Sequence, residues 1–131
     1  MENLQPVRTQ KPNKGTLINL EKGKLPPQAV ELEEAVLGAM MIDKKGVDDV
    51  IDILHAEAFY KQSHQIIFDA IFTLFNESEP IDLLTVASQL KKDGKLESAG
   101  GDFYLVGLTQ KVASSAHIEF HARIIIQKYI Q

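Results

Sequence analysis

The sequence predicts an all-α fold, and three observations carry that reading. No stretch alternates apolar and polar residues with period two for long enough to make a strand. Apolar residues recur instead at i, i+3, i+4 and i+7, the spacing that lines one side of a helix. The breaks between these stripes fall at Pro, Gly and Asp, residues that start or stop helices. Together they place six helices in a compact orthogonal bundle behind a disordered N-terminal tail.

Through Pro27 the chain holds five basic side chains against two acidic ones, four of its five prolines and none of its aromatics. Such a segment buries too little surface to offset its ordering entropy. Residues 1–26 are therefore expected to form a flexible, mildly basic tail, its dispersed charges suiting a tether better than a phosphate-binding arm. Of the 14 basic and 18 acidic residues in the chain, nine and 16 remain for residues 27–131, so the domain is acidic.

The first helix begins near Gln28, because Pro26-Pro27 blocks any earlier start. Glu31, Glu33 and Glu34 are expected to complement the positive end of its dipole. From Ala35 to Ile42 it is apolar nearly all round, which makes it the central helix. Gly38 in its middle costs about 1 kcal/mol against Ala and signals close approach of a neighbouring backbone. A second helix carries Val47, Val50, Ile51 and Leu54 on one side, with Asp48, Asp49 and Asp52 elsewhere. Phe59-Tyr60 falls in the next connection.

A third helix is expected from about Ser63 to Glu77, with His64, Ile67, Phe68, Ile71 and Phe75 inward and Pro80 as its stop. Asp82 suits the N-cap of a fourth, striped by Leu83, Val86, Ala87 and Leu90. Lys91 and Lys92 match its negative end, and Gly94 is the expected left-handed stop. Gly100-Gly101 opens a fifth helix through Tyr104, Leu105 and Leu108. Ser114 or Ser115 is expected to cap a sixth, running to the last residue. There Ile124, Ile125 and Ile126 are consecutive and span well over half the circumference. Tyr129 and Ile130 extend the apolar character, and no Gly, Asn or Pro follows. A helix apolar on several sides needs partners on several sides: a second copy, and a continuing chain that folds back.

Chemistry is mostly excluded. With no Cys there is no disulfide, thiolate metal site or thiol nucleophile, which fits a reducing compartment such as the cytoplasm. No apolar run is long enough for a membrane span. A phosphate loop needs Lys-Ser or Lys-Thr after its last glycine, but Gly94-Lys95 and Gly23-Lys24 are each followed by Leu. His117 and His121 share a helix side, yet no third metal ligand is spaced with them. His64 is expected to be packed and hydrogen-bonded, and His55 to face solvent. The only basic cluster, Lys91, Lys92 and Lys95, ends a helix in an acidic domain, unlike a DNA-reading helix. The residues alone thus reach a non-enzymatic interaction domain with no cofactor of its own.

The order of local features is more specific. Pro26-Pro27-Gln28, Glu31-x-Glu33-x-x-Val36-Leu37-Gly38, Phe59-Tyr60, His64, Ile67-Phe68 and Ala70-Ile71 are followed by Pro80-x-Asp82-x-x-Thr85 and Leu90. Gly94-x-Leu96-Glu97, Gly100-Gly101-x-x-Tyr104-Leu105 and Ala116-x-Ile118-x-x-x-Ala122-Arg123-Ile124 complete the series. This collinear set resembles the N-terminal domain of the bacterial replicative DNA helicase, the DnaB family. The resemblance implies a helical head followed by a helical hairpin, hairpins pairing into dimers, and three dimers forming a collar on a hexameric ring. It implies docking of primase on that collar, and a separate RecA-like motor, absent from this chain, that uses ATP and Mg and moves on single-stranded DNA. The sixth helix would then be the first half of the hairpin, cut at residue 131. On this reading Ile124, Ile125, Ile126, Tyr129 and Ile130 serve hairpin closure and dimerisation, at least one isoleucine being ordinary core. Tyr104 is a candidate primase contact, or a tyrosine at the core edge. The alternatives are the helicase-binding domain of primase, similar in fold, and an all-α adaptor unrelated to replication.

Overall fold

The computed structural model describes residues 27–112 and 117–130. The tail expected over residues 1–26 lies outside the described residues, as do Ser114 and Ser115. Helix α1 (Pro27–Ile42) packs against every later helix, as its all-round apolar sequence requires. Leu37 and Met40 are fully buried at its centre. Gly38 is where α5 (Gly101–Gln110) crosses it: a Cβ there would run into the Leu108 carbonyl oxygen and lie 2.7 Å from Val112 Cγ2. The expected dipole match at the start of α1 is not made. Its first turn holds no acidic residue, and the dipole's influence fades within that turn.

Helix α2 (Lys44–Val50) starts at Asp43, whose side chain accepts the Lys45 N–H at 3.0 Å. Val47, Val50, Ile51 and Leu54 are all buried. A short 3-10 turn (Ala56–Ala58) then delivers Phe59 into the core, its ring 5.4 Å from that of Phe68. Helix α3 (Gln62–Asn76) buries His64, Ile67, Phe68, Ile71 and Leu74. Phe75, expected inward, is 38% exposed, because the inner stripe advances three residues from Ile71 to Leu74 rather than four. Nor does Pro80 stop the helix. Ser78 does, at φ +56°, with its N–H on the Phe75 carbonyl and the Glu79 N–H on that of Leu74 at 2.9 Å. This is the paired-carbonyl stop usually built on glycine.

Helix α4 (Leu83–Lys92) opens on a reciprocal capping box: Asp82 Oδ1 accepts from Thr85 N, and Thr85 Oγ1 from Asp82 N, each at 2.9 Å. It closes as expected at Gly94, φ +70°, with the Lys95 N–H on the Leu90 carbonyl. The last helix, α6 (Ile118–Tyr129), differs from expectation at both ends. His117 stands at its N-cap without a side-chain hydrogen bond, where a serine cap was expected, and helical structure ends at Tyr129 rather than at the last residue. The described residues contain six α-helices and no strand, and none of these helices is long and apolar enough to cross a membrane.

Candidate functional site

The side chains that most constrain this fold are polar. Glu33 on α1 is 1% exposed and His64 on α3 is fully buried, so each must find its partners inside. Glu33 Oε1 lies 2.7 Å from His64 Nδ1, and Oε2 accepts the Tyr60 N–H at 2.7 Å. On its other side His64 Nε2 is 2.6 Å from the Tyr104 hydroxyl of α5. That hydroxyl donates to Glu34 Oε2 at 3.1 Å, and Lys111 Nζ closes the chain on Glu34 Oε1 at 3.3 Å. Lys61 lies over the Tyr104 ring, 5.1 Å from its centroid. Burial, reinforced by Glu34, pushes the Tyr104 hydroxyl above its ordinary titration range, so it keeps its proton and can donate.

The local sequence explains how these groups meet. Glu33 and Glu34 are consecutive on α1 and reach two neighbours, α3 and α5. Gly100, at φ +108°, lets α5 begin directly beneath Tyr104; a Cβ there would come within 2.7 Å of the tyrosine ring. The junction ties α1, α3 and α5 together from positions up to 70 residues apart. Glu33 and His64 are closed to solvent, so no substrate reaches them. They hold helices in place. His64 is thus the packed, hydrogen-bonded histidine that was expected, whereas Glu33 and Glu34 take an inward role that was not.

The predicted contact residues fall into two groups. Ile125 is buried and Ile124 and Ile126 are half-buried, whereas Tyr129 is 47% and Ile130 71% exposed. The Tyr129 ring packs edge-on to His55, centroids 5.1 Å apart, which holds the end of α6 near the 3-10 turn. Phe120, on the outer side of α6, is 65% exposed. On α5, Tyr104 turns its hydroxyl into the junction and its neighbour Phe103 is left 90% exposed. Two adjacent helix positions cannot both face the core, and of this pair the outward place falls to Phe103 rather than to Tyr104, the residue expected to make the contact.

The remaining candidates stay apart from these groups. The rings of His117 and His121 lie 6.3 Å apart, and burial, then the neighbouring His117, lowers the His121 pKa. Among the described residues no group of three or more His, Asp or Glu is placed to hold a metal ion. Gly23 lies outside the described residues, whereas Gly94, and the Gly100-Gly101 pair at the start of α5, have their amides engaged. Gly94 N–H bonds Lys91, Gly100 N–H bonds Glu97 and Gly101 N–H bonds Leu96, each through the carbonyl.

A family model for the DnaB-like helicase N terminal domain matches residues 25–127. The chain is 49% identical over 114 residues to the replicative DNA helicase DnaB of Rhodothermus marinus, covering 87% of this chain and 12% of that protein. It is 38% identical over 114 residues to the replicative DNA helicase DnaC of Bacillus subtilis, covering 87% and 25%. The chain therefore spans at most about a quarter of the length of these two relatives. Among solved structures, the N-terminal domain of DnaB helicase from Mycobacterium tuberculosis superposes with a TM-score of 0.76 at 37% identity, over 81% of this chain and 76% of that one. The corresponding domain from Helicobacter pylori, known with its interactions with primase, shares the fold at a TM-score of 0.67 and 20% identity, over 89% and 86%. The residues that knit the junction, Glu33, His64, Gly100 and Tyr104, are among those whose order first suggested this kinship, and the chain belongs to the DnaB-like helicase N-terminal domain family.

Proposed function

We infer that this chain is the collar domain of a cytoplasmic replicative DNA helicase, mediating ring assembly and the docking of primase at the replication fork. ATP-driven unwinding belongs to a RecA-like motor outside residues 1–131, through which single-stranded DNA, ATP and Mg are engaged. The observation that carries the reading is the uncovered apolar end of α6. Phe120 and Ile130 stand in solvent away from the core stripe of Ile118, Ala122 and Ile125, and Tyr129, in line with that stripe, stays 47% exposed beside His55. A face of this kind fits a hairpin mate, a second copy, or both. Ile124, Ile126, Tyr129 and Ile130 are the residues of that contact, and Ile125, buried against the chain's own core, is the isoleucine that serves as ordinary core.

Primase docking is placed on α5. Phe103 and Val106 are its exposed apolar residues, and the Tyr104 contact is shared with Phe103, since the tyrosine hydroxyl is engaged inside. The acidic domain suits a basic partner surface, complementary charge raising association rate more than affinity. Self-association is tested by sedimentation over a range of concentrations. Weak dimerisation that Ile130→Asp abolishes is expected, and association indifferent to that substitution overturns the reading. For primase, Phe103→Asp is expected to weaken binding of the purified partner while leaving self-association intact.

A further inference from the structure

We propose that the groove between α2 and the α3–α4 corner binds a basic amphipathic segment of another protein. The groove has a volume of about 770 Å³ and is lined by Val47 and Asp48 from α2 and by Phe75, Ser78, Glu79 and Ile81 from the corner. It exists because α3 stops on Ser78 in the left-handed conformation, which is uncommon for a residue with a side chain. Phe75, one position past the inner stripe, which ends at Leu74, lies 38% exposed along the groove. Across Glu79 a second depression of about 330 Å³ contains Glu77 and Leu84, the latter 77% exposed. Apolar floor and carboxylates therefore alternate along one continuous corner.

Charge selects the occupant. Lys44 is paired with Asp48 at 3.6 Å, so these two largely cancel. Glu77 and Glu79 are exposed and form no ion pair among the described residues; Lys92 also borders the second depression, so the two carboxylates leave the ridge with a negative excess rather than free of cations. The matching segment places large apolar side chains in the two depressions and Lys or Arg against the ridge. A second copy of this chain is a poor match, since its net charge is −4 and its domain carries most of the carboxylates. The site is separate from α5 and from the open end of α6, and does not depend on what binds there.

The test is an NMR titration of the isotope-labelled full chain with a synthetic Lys/Leu peptide in helical register, against a Glu/Leu peptide of the same pattern. The Lys/Leu peptide is expected to shift the amides of Asn76, Ser78 and Ile81 and to saturate, whereas the Glu/Leu peptide leaves them unmoved. Reversing the ridge with Glu77→Lys and Glu79→Lys, both exposed, is expected to weaken binding about tenfold with the spectrum otherwise retained. Leu84→Ser tests the apolar half and is expected to weaken it also. Glu97→Lys, on another surface, should leave the affinity unchanged. The proposal is overturned by shifts that centre elsewhere, or by binding indifferent to the ridge reversal. It is equally overturned if Lys22→Ala with Lys24→Ala moves the groove amides before any peptide is added, because the chain's own tail is then the occupant.

Discussion

Helices α1 and α6 are both too apolar for a simple amphipathic stripe, yet they meet opposite fates. α1 is surrounded, and Val36, Leu37, Ala39, Met40 and Met41 are each at most 2% exposed. Its position is so central that even Glu33 is taken inside and supplied with partners. α6 packs on one side only, burying Ile118, Ala122 and Ile125, while Phe120 and Ile130 remain in solvent. Apolar composition sets what a helix can bury, and the number of neighbours sets what it does bury. The excess on α6 is the part of the sequence that the described fold does not use.

The sharpest way to break the comparison is to remove the polar centre of α1. Glu33→Ala leaves the buried His64 ring and the Tyr60 N–H without their acceptor. The expected loss is about 3–5 kcal/mol, the usual cost of breaking one side of a buried pair. The equivalent cut on α6, Glu119→Ala, removes an exposed pair with Arg123 at 2.9 Å and is expected to cost under about 0.5 kcal/mol. Urea denaturation of both variants measures the difference; a Glu33→Ala loss below about 1 kcal/mol would show that the junction does not hold the helices together. Next in size is the apolar contrast within α6. Ile125→Ala is expected to cost about 2–4 kcal/mol, and Ile130→Ala almost nothing in the free chain.

Two mid-helix glycines extend the test to the α1–α5 crossing. Gly38→Ala drives a Cβ into the Leu108 carbonyl, where backbone rather than a flexible side chain must yield. A loss of about 1–3 kcal/mol is expected even after the gain in helix propensity. At Gly107 an added Cβ meets nothing within 4 Å, so Gly107→Ala should stabilise by about 0.5–1 kcal/mol. Thermal melts of the pair, with shifts of opposite sign, are the expected outcome. A stabilised Gly38→Ala would mean that α5 can slide without cost.

These cases also show how much was legible in the sequence. Gly38 announced a close crossing, although Gly107, equally interior to its helix and open around its Cβ position, shows that the signal is not general. Asp82 and Gly94 announced the ends of α4, because caps are local chemistry. The stop at Ser78 was hidden, since nothing in the serine side chain requires a left-handed backbone and Pro80 nearby offered a more obvious signal. The polar junction was hidden for a different reason. Glu33, His64 and Tyr104 are separated by 31 and 40 residues, and no periodicity links residues that meet only through tertiary packing. Their presence in the motif order gave kinship without geometry. For the contact residues, periodicity could say that three consecutive isoleucines cannot all be core, but not which of them would be.

The smallest expected effect lies at the seam between α1 and α6, where His121 and His117 border a small cavity with Ala35, Ala39 and Lys111. Burial first, and then the neighbouring His117, holds His121 below its ordinary pKa of 6.5. The folded state thus binds the His121 proton less readily than the unfolded state does. Below the unfolded value the unfolded chain takes up more protons, and acidification favours unfolding. The contribution of His121 to stability is therefore fully present above about pH 6.5 and declines as pH falls through that value. His121→Asn removes the titrating group and is expected to flatten the slope of stability between about pH 7.5 and 5.5, a window above the carboxylate range. His117→Asn should flatten it less, since His117 is the second cause and burial the first. Denaturation midpoints across the window decide the matter: an unchanged slope in His121→Asn places the proton sensitivity of this seam elsewhere.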